Sequence, residues 1–220
     1  MNQTEKLPYP YLVIEGNIGS GKTTLCHQFQ EKYGARLILE QFSDNPFLPL
    51  FYENPERHAF SVELFFMTER HRQLQEELIP GNLFDPCIIS DYVFTKTLLF
   101  ARNNLQAEEY RLFQRLFQVL NAHFRKPDLL IYLHRPIEVL LSQIAKRGRT
   151  YEREIRQDYL LEIQQAYLDF FRVGLDYPVV VAGLGSLDFE RNSAVFDQLD
   201  SLLYEHFTPG LHYRDLLLQA

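Results

Sequence analysis

Eight consecutive residues, Gly16-Asn17-Ile18-Gly19-Ser20-Gly21-Lys22-Thr23, constrain this chain more than any other stretch, because they fit Gly-x-x-x-x-Gly-Lys-[Ser/Thr]. They lie between an apolar run, Tyr11-Leu12-Val13-Ile14-Glu15, that reads as a buried strand, and a segment from Gly21 to Tyr33 that reads as a helix. Strand, loop and helix N-terminus in that order make a cradle for phosphate. The glycines permit a tight turn that aims successive N–H groups inward, and the helix dipole adds partial positive charge at the same point. Lys22 is expected to reach the β- and γ-phosphates and the Thr23 hydroxyl to ligate Mg²⁺, with Thr24 completing the cradle. The pattern predicts a nucleoside triphosphate as ligand and leaves its use open.

Four further apolar runs read as strands: Ala35 to Glu40, Cys87 to Ser90, Asp128 to Leu133 and Pro178 to Val181. Helical stretches alternate with them: Glu56 to Leu78 (ended by Pro80-Gly81-Asn82), Val93 to Arg102, Ala107 to Phe124, Pro136 to Lys146, Glu152 to Phe171 and Ala194 to Phe207. The alternation predicts one α/β domain over residues 1–220, a five-stranded parallel sheet with helices on both faces. The tail after Pro209 carries no pattern. From Ala107 to Phe124, Leu112, Leu116 and Leu120 form one stripe and Phe113, Phe117 and Phe124 an adjoining one, a face that fits either a core helix or a subunit interface.

Charge narrows the partners. With 22 Lys and Arg against 29 Asp and Glu, the net charge of −7 argues against nucleic acid, which needs a basic surface. No apolar run approaches the roughly 18 residues that span a bilayer, and residues 1–10 lack signal-peptide features, so a cytoplasmic protein without a membrane partner is expected. Cys26 and Cys87 are isolated, as in a reducing compartment, and the histidines lack zinc-site spacing.

A GTPase needs Asn-Lys-x-Asp to read guanine, and none occurs; the third strand ends in Ser90-Asp91-Tyr92. A small-molecule kinase needs a carboxylate near the acceptor hydroxyl and a basic lid over the phosphates. Glu40, at a strand end beside the cradle, is the candidate base. Lys146-Arg147-Gly148-Arg149, with Arg153 and Arg156 beyond, is the candidate lid, spanning about residues 146–156.

Together with Phe51-Tyr52-Glu53-Asn54-Pro55-Glu56-Arg57 and Glu152 three residues after Arg149, these motifs resemble the deoxynucleoside kinases, the group containing deoxycytidine, deoxyguanosine and deoxyadenosine kinases. Asn45-Pro46-Phe47-Leu48 is similar to the bacterial purine-preferring members. The resemblance implies ATP as phosphate donor, Mg²⁺ held by Thr23 and Asp91, Glu40 acting on the sugar 5′-hydroxyl, and Tyr52 with Glu152 holding the 3′-hydroxyl. It also implies Arg147 and Arg149 as lid cations, Phe189 near the adenine of ATP, a deoxynucleoside monophosphate as product, and a homodimer.

Two departures stand out. The family's acid–arginine pair at the end of the third strand reads Asp91-Tyr92 here, so Lys96 is expected to supply the missing charge; in another register Asp91 contacts the base. On the long helix the family's base-reading glutamine is Glu63, seven residues before Arg70. An ionised carboxylate only accepts, which suits the two donors of guanine; a protonated one also donates, which suits adenine. The alternatives are a thymidylate-type nucleoside monophosphate kinase and a nucleotide-binding module without catalysis.

Overall fold

The computed structural model describes residues 6–41, 45–78, 87–121 and 124–217. Strands β1 (Tyr11–Gly16), β2 (Arg36–Ile38), β3 (Ile88–Ser90), β4 (Leu129–His134), β5 (Pro178–Gly183) and β6 (Gly210–Asp215) form one parallel sheet in the order β2-β3-β1-β4-β5-β6. The helices between them are α1 (Lys22–Tyr33), α2 (Leu48–Glu53), α3 (Pro55–Glu77), α4 (Lys96–Asn104), α5 (Ala107–Asn121), α6 (Ile137–Arg147), α7 (Gln157–Arg172) and α8 (Ser193–Ser201).

Alternate side chains of β1 serve opposite layers. Leu12 and Ile14 pack with Leu25 and Phe29 of α1 and with Val195 and Leu199 of α8. Tyr11 and Val13 face Ile163, Tyr167 and Phe171 of α7. Burial on both faces is why these strands read as continuous apolar runs. A third cluster joins Met67 and Leu74 of α3 to Phe94, Phe113 and Phe117. Because β3 and β4 flank β1 on opposite sides, the chain's direction of travel reverses at β1. A crevice opens there at the carboxyl ends of the strands, and the glycine loop, Glu40 and Asp91 all emerge into it.

Among the described residues the sheet has six strands rather than five. The sixth lies in the tail after Pro209, and its half-exposed sequence, Gly-Leu-His-Tyr-Arg-Asp, offers no apolar run to detect. Three helices also differ from expectation. Helix α4 starts at Lys96 because Phe94 and Thr95 form the preceding turn, α7 starts at Gln157 after a 3-10 turn over Thr150–Glu152, and α8 ends at Ser201 before a second 3-10 turn. The helix stop at Pro80-Gly81-Asn82 lies outside the described residues. On α5 the leucine stripe divides: Leu120 packs against the cluster that buries Phe113 and Phe117, whereas Leu112 and Leu116 are 50% and 38% exposed, with Val119 near them at 74%. Among the described residues no helix is long and apolar enough to cross a membrane.

Candidate active site

The glycine loop closes only because side chains are absent from it. Gly19 and Gly21 have φ of 80° and 97°, and a Cβ would approach the Leu140 carbonyl to 2.9 Å at the first and the Phe189 ring to 2.8 Å at the second. Asn17 anchors the loop to α7 by donating its Nδ2 to the Leu160 carbonyl at 2.7 Å, while its side-chain Oδ1 accepts from Ile18 N–H. Among the described residues no side chain caps α1, so its first N–H groups remain open to an anion. Lys22 Nζ donates to the Gly16 and Asn17 carbonyls at 2.9 and 3.0 Å. Burial, with Lys96 nearby, pushes its ammonium down to about 8.

One carboxylate joins the loop to the rest of the site. Asp91 Oδ2 accepts from the Thr23 hydroxyl at 2.6 Å and Oδ1 from the Glu40 backbone N–H at 2.7 Å. Thr23 and Asp91 thus present paired hard oxygens, which fit Mg²⁺. Among the described residues no group of three or more His, Cys, Asp or Glu could hold a metal, so a divalent ion here would need phosphate oxygens or water as well.

Glu40 carries a cation on each of its two oxygens. Arg70 Nε donates to Oε1 and Lys96 Nζ to Oε2, both at 2.6 Å, with all three side chains at most 5% exposed. Burial alone would raise the Glu40 carboxyl, but the two cations outweigh it and hold the group at about 2. Tyr92 leaves this centre altogether: fully buried, it donates its hydroxyl to Gln73 Oε1 at 2.7 Å, and Gln73 in turn donates to the Leu39 carbonyl beside Glu40. Lys96, the first residue of α4, takes the place open to a cation. Behind them Glu15, fully buried at the end of β1, accepts from Val93 N–H and the Tyr167 hydroxyl and steadies the turn that delivers Lys96.

Farther along, Glu63 Oε1 accepts from Asn104 Nδ2 at 2.6 Å, and Oε2 is buried without a hydrogen-bond partner among the described residues. Burial pushes this carboxyl up to about 7 against the opposing pull of Arg70. Arg70 belongs to Glu40 and to the Thr97 hydroxyl rather than to an open base-reading position beside Glu63. Tyr52 stacks on Tyr151 with centroids 6.2 Å apart. Glu152 is gripped bidentately by Arg147 and accepts from Arg149 at 3.3 Å.

A cavity of about 510 Å³ runs from the glycine loop, Thr24 included, past Glu40 and Lys96 to Glu63 and Asn104, with Asp91 buried behind Thr23 and Glu40 rather than among its lining residues. It also brings in Tyr52, Arg70, Arg147, Arg149 and Glu152. Phe189 is not among the lining residues: its ring is buried behind Gly21, a backing for the loop rather than a wall of the cavity. Asn104, Tyr159 and Glu190 line the cavity without any sequence signal.

A family model described as deoxynucleoside kinase matches residues 12–207. The chain is 30% identical over 194 residues to a deoxyguanosine kinase of Bacillus subtilis, covering 86% of this chain and 94% of that one. It is 31% identical over 172 residues to a deoxyadenosine kinase of Dictyostelium discoideum, covering 77% and 70%. A deoxyadenosine/deoxycytidine kinase of Bacillus subtilis is 27% identical over 203 residues, covering 89% and 94%. The fold matches a deoxyadenosine kinase from M. mycoides solved with bound dATP, at a TM-score of 0.74 and 23% identity over 89% of this chain and 100% of that one.

Proposed function

The chain belongs to the deoxynucleoside kinase family, and on that premise we propose that it transfers the γ-phosphoryl group of ATP, as its Mg²⁺ complex, to the 5′-hydroxyl of a purine deoxynucleoside. The product is the deoxynucleoside 5′-monophosphate, a salvage reaction. The observation that carries the reading is Glu40, buried between Arg70 and Lys96 and joined through Asp91 to Thr23 at the glycine loop. A carboxylate near pKa 2 is a weak base. It accepts the hydrogen bond of the sugar hydroxyl, fixes its line of attack, and takes the proton only as the new O–P bond completes.

Lys22 leaves the loop carbonyls to contact the β- and γ-phosphates. Thr23 and Asp91 are the residues to hold Mg²⁺, which when bound supplies charge neutralisation at the phosphate oxygens. Arg147 and Arg149 act as the lid cations, and Phe189 supports the adenine side only from behind the loop. Arg147 now spends its fork on Glu152. Turning it toward the triphosphate frees Glu152 to join Tyr52 at the sugar 3′-hydroxyl. The test is product formation from ATP and Mg²⁺ with each deoxynucleoside and each monophosphate, separated by chromatography. Phosphorylation of monophosphates alone would overturn the reading.

Glu63 is the proposed purine reader, with Oε2 facing the base edge. Its ionisation sets the preference: Arg70 and Lys96 favour the charged form, burial and Glu40 the neutral one, and the balance lies at about 7. Below that pH the acid donates and accepts, which suits adenine; above it the carboxylate only accepts, which suits guanine N1–H and N2–H. The deoxyguanosine:deoxyadenosine ratio of kcat/KM is expected to rise about fivefold as pH goes from about 6 to about 8, one hydrogen bond's worth. Glu63→Gln should flatten that profile and move the ratio toward deoxyadenosine. An unchanged ratio would remove Glu63 from the base site.

The exposed Leu112, Leu116 and Val119 of α5 support a homodimer through that face. Sedimentation equilibrium should give a dimer for the parent protein and a monomer for Leu116→Glu; a parent monomer at micromolar concentration contradicts it. A cytoplasmic location accords with the two free thiols, Cys26 and Cys87, and cell fractionation checks it.

A further inference from the structure

Arg135 follows β4 directly, and because Leu133 pairs with Gly16, the side chain enters the space beneath the glycine loop. It is 4% exposed. Its hydrogen bonds run to main-chain carbonyls on two separate segments: Nε donates to Ser20 at 3.0 Å, and Nη1 donates to Leu187 at 2.7 Å and to Gly185 at 3.5 Å. The guanidinium carbon lies 5.5 Å from the centre of the Phe189 ring, and that ring is the surface against which Gly21 rests. Asp188, whose carboxylate accepts from the Glu190 and Arg191 N–H groups, provides the opposing charge. A buried cation is thus held mainly by carbonyl dipoles, directly behind the turn that faces the phosphates.

Two physical consequences combine. Ser20 C=O and Gly21 N–H belong to one peptide unit, so a charged donor on the carbonyl polarises the N–H at the mouth of the loop and makes it a stronger donor to an anion. The same side chain ties the loop to residues 184–192, whose Glu190 lines the cavity. Arg135 therefore has no need to touch the ligand to matter to it. We infer that Arg135 is a positioning residue that sets the affinity of the glycine loop for the polyphosphate of the nucleotide donor, by clamping Ser20 to the 184–192 loop and lending its charge through the Ser20-Gly21 peptide. The inference rests on the proposed binding of a nucleoside triphosphate at this loop, and direct binding measurements separate the two.

The experiment is calorimetric titration of the full chain with MgATP and, as a base-free probe, inorganic tripolyphosphate, alongside steady-state KM for ATP and for the deoxynucleoside. Arg135→Gln is expected to weaken MgATP and tripolyphosphate alike by about tenfold or more, the scale of a lost charge-assisted hydrogen bond, with the deoxynucleoside KM within about twofold of the parent. Arg135→Lys keeps the charge but reaches only one segment at a time, and should lose about threefold or more for both phosphate ligands. Parent-like phosphate affinity in either folded variant overturns the inference, as does an equal loss for the deoxynucleoside, which would mark a general structural role. Should the Gln variant fail to fold, the Lys variant decides alone. A parent protein that binds neither phosphate ligand would instead overturn the triphosphate reading itself.

Discussion

Glu40→Gln is expected to lower kcat by about 10²–10⁴-fold with little change in the KM for ATP. The amide keeps the size of the carboxylate and can still accept from Lys96 or Arg70, but it cannot take the proton of the attacking hydroxyl. Arg70 and Lys96 then share a buried site without their counter-charge, a loss on the order of 3–5 kcal/mol, so activity is measured well below a melting point recorded in parallel. The acid limb gives an independent check. The Glu40 carboxyl titrates near 2 in the folded chain against 4.5 ordinarily, so its contribution of roughly 3 kcal/mol is present above pH ~4.5 and is lost as pH falls toward 2. Stability of the Gln variant should be flatter over that window. Activity within about threefold of the parent would remove Glu40 from the chemistry.

Lys96→Ala carries the second large effect, a fall in kcat of about 10²–10³-fold with the fold intact. Lys96 Nζ is the cation on Glu40 Oε2, in a place where Tyr92 has turned away toward Gln73. A positive charge beside the attacking oxygen favours both its alignment and the charge that grows on the transferring group. If Lys96 acts only by holding Glu40, the double variant with Glu40→Gln loses no more than the worse single variant; if it also contacts the reacting oxygens, the losses compound. Parent-like kinetics in Lys96→Ala would sink both versions.

The sequence made the cradle legible because its elements are contiguous: strand, glycine loop and helix occupy Tyr11 to Tyr33 without interruption. Glu40 was legible for a related reason, a carboxylate closing an apolar run. What stayed hidden depends on long-range contacts. Asn104 meets Glu63 across 41 residues of chain and Arg135 meets Ser20 across 115, and neither neighbour can be guessed from spacing. Arg70 shows the limit of helical periodicity. Sharing the buried side of α3 with Glu63 does not say where a long guanidinium ends, and it ends on Glu40. The α5 stripes show a similar limit, since periodicity gave the width of the apolar face but not which half the core would claim.

Strand β6 escaped for a reason that is also its use. It pairs with β5 along six residues from Pro178 to Gly183 and has no strand on its other edge among the described residues, with Tyr213, Arg214 and Asp215 exposed. An apolar strand in that position would present unpaired backbone to any passing chain and template edge-to-edge aggregation. Arg214, ion-paired to Glu205, and Asp215 place charge along that border. The poverty in apolar residues that hides the strand from pattern reading is what allows the sheet to stop there.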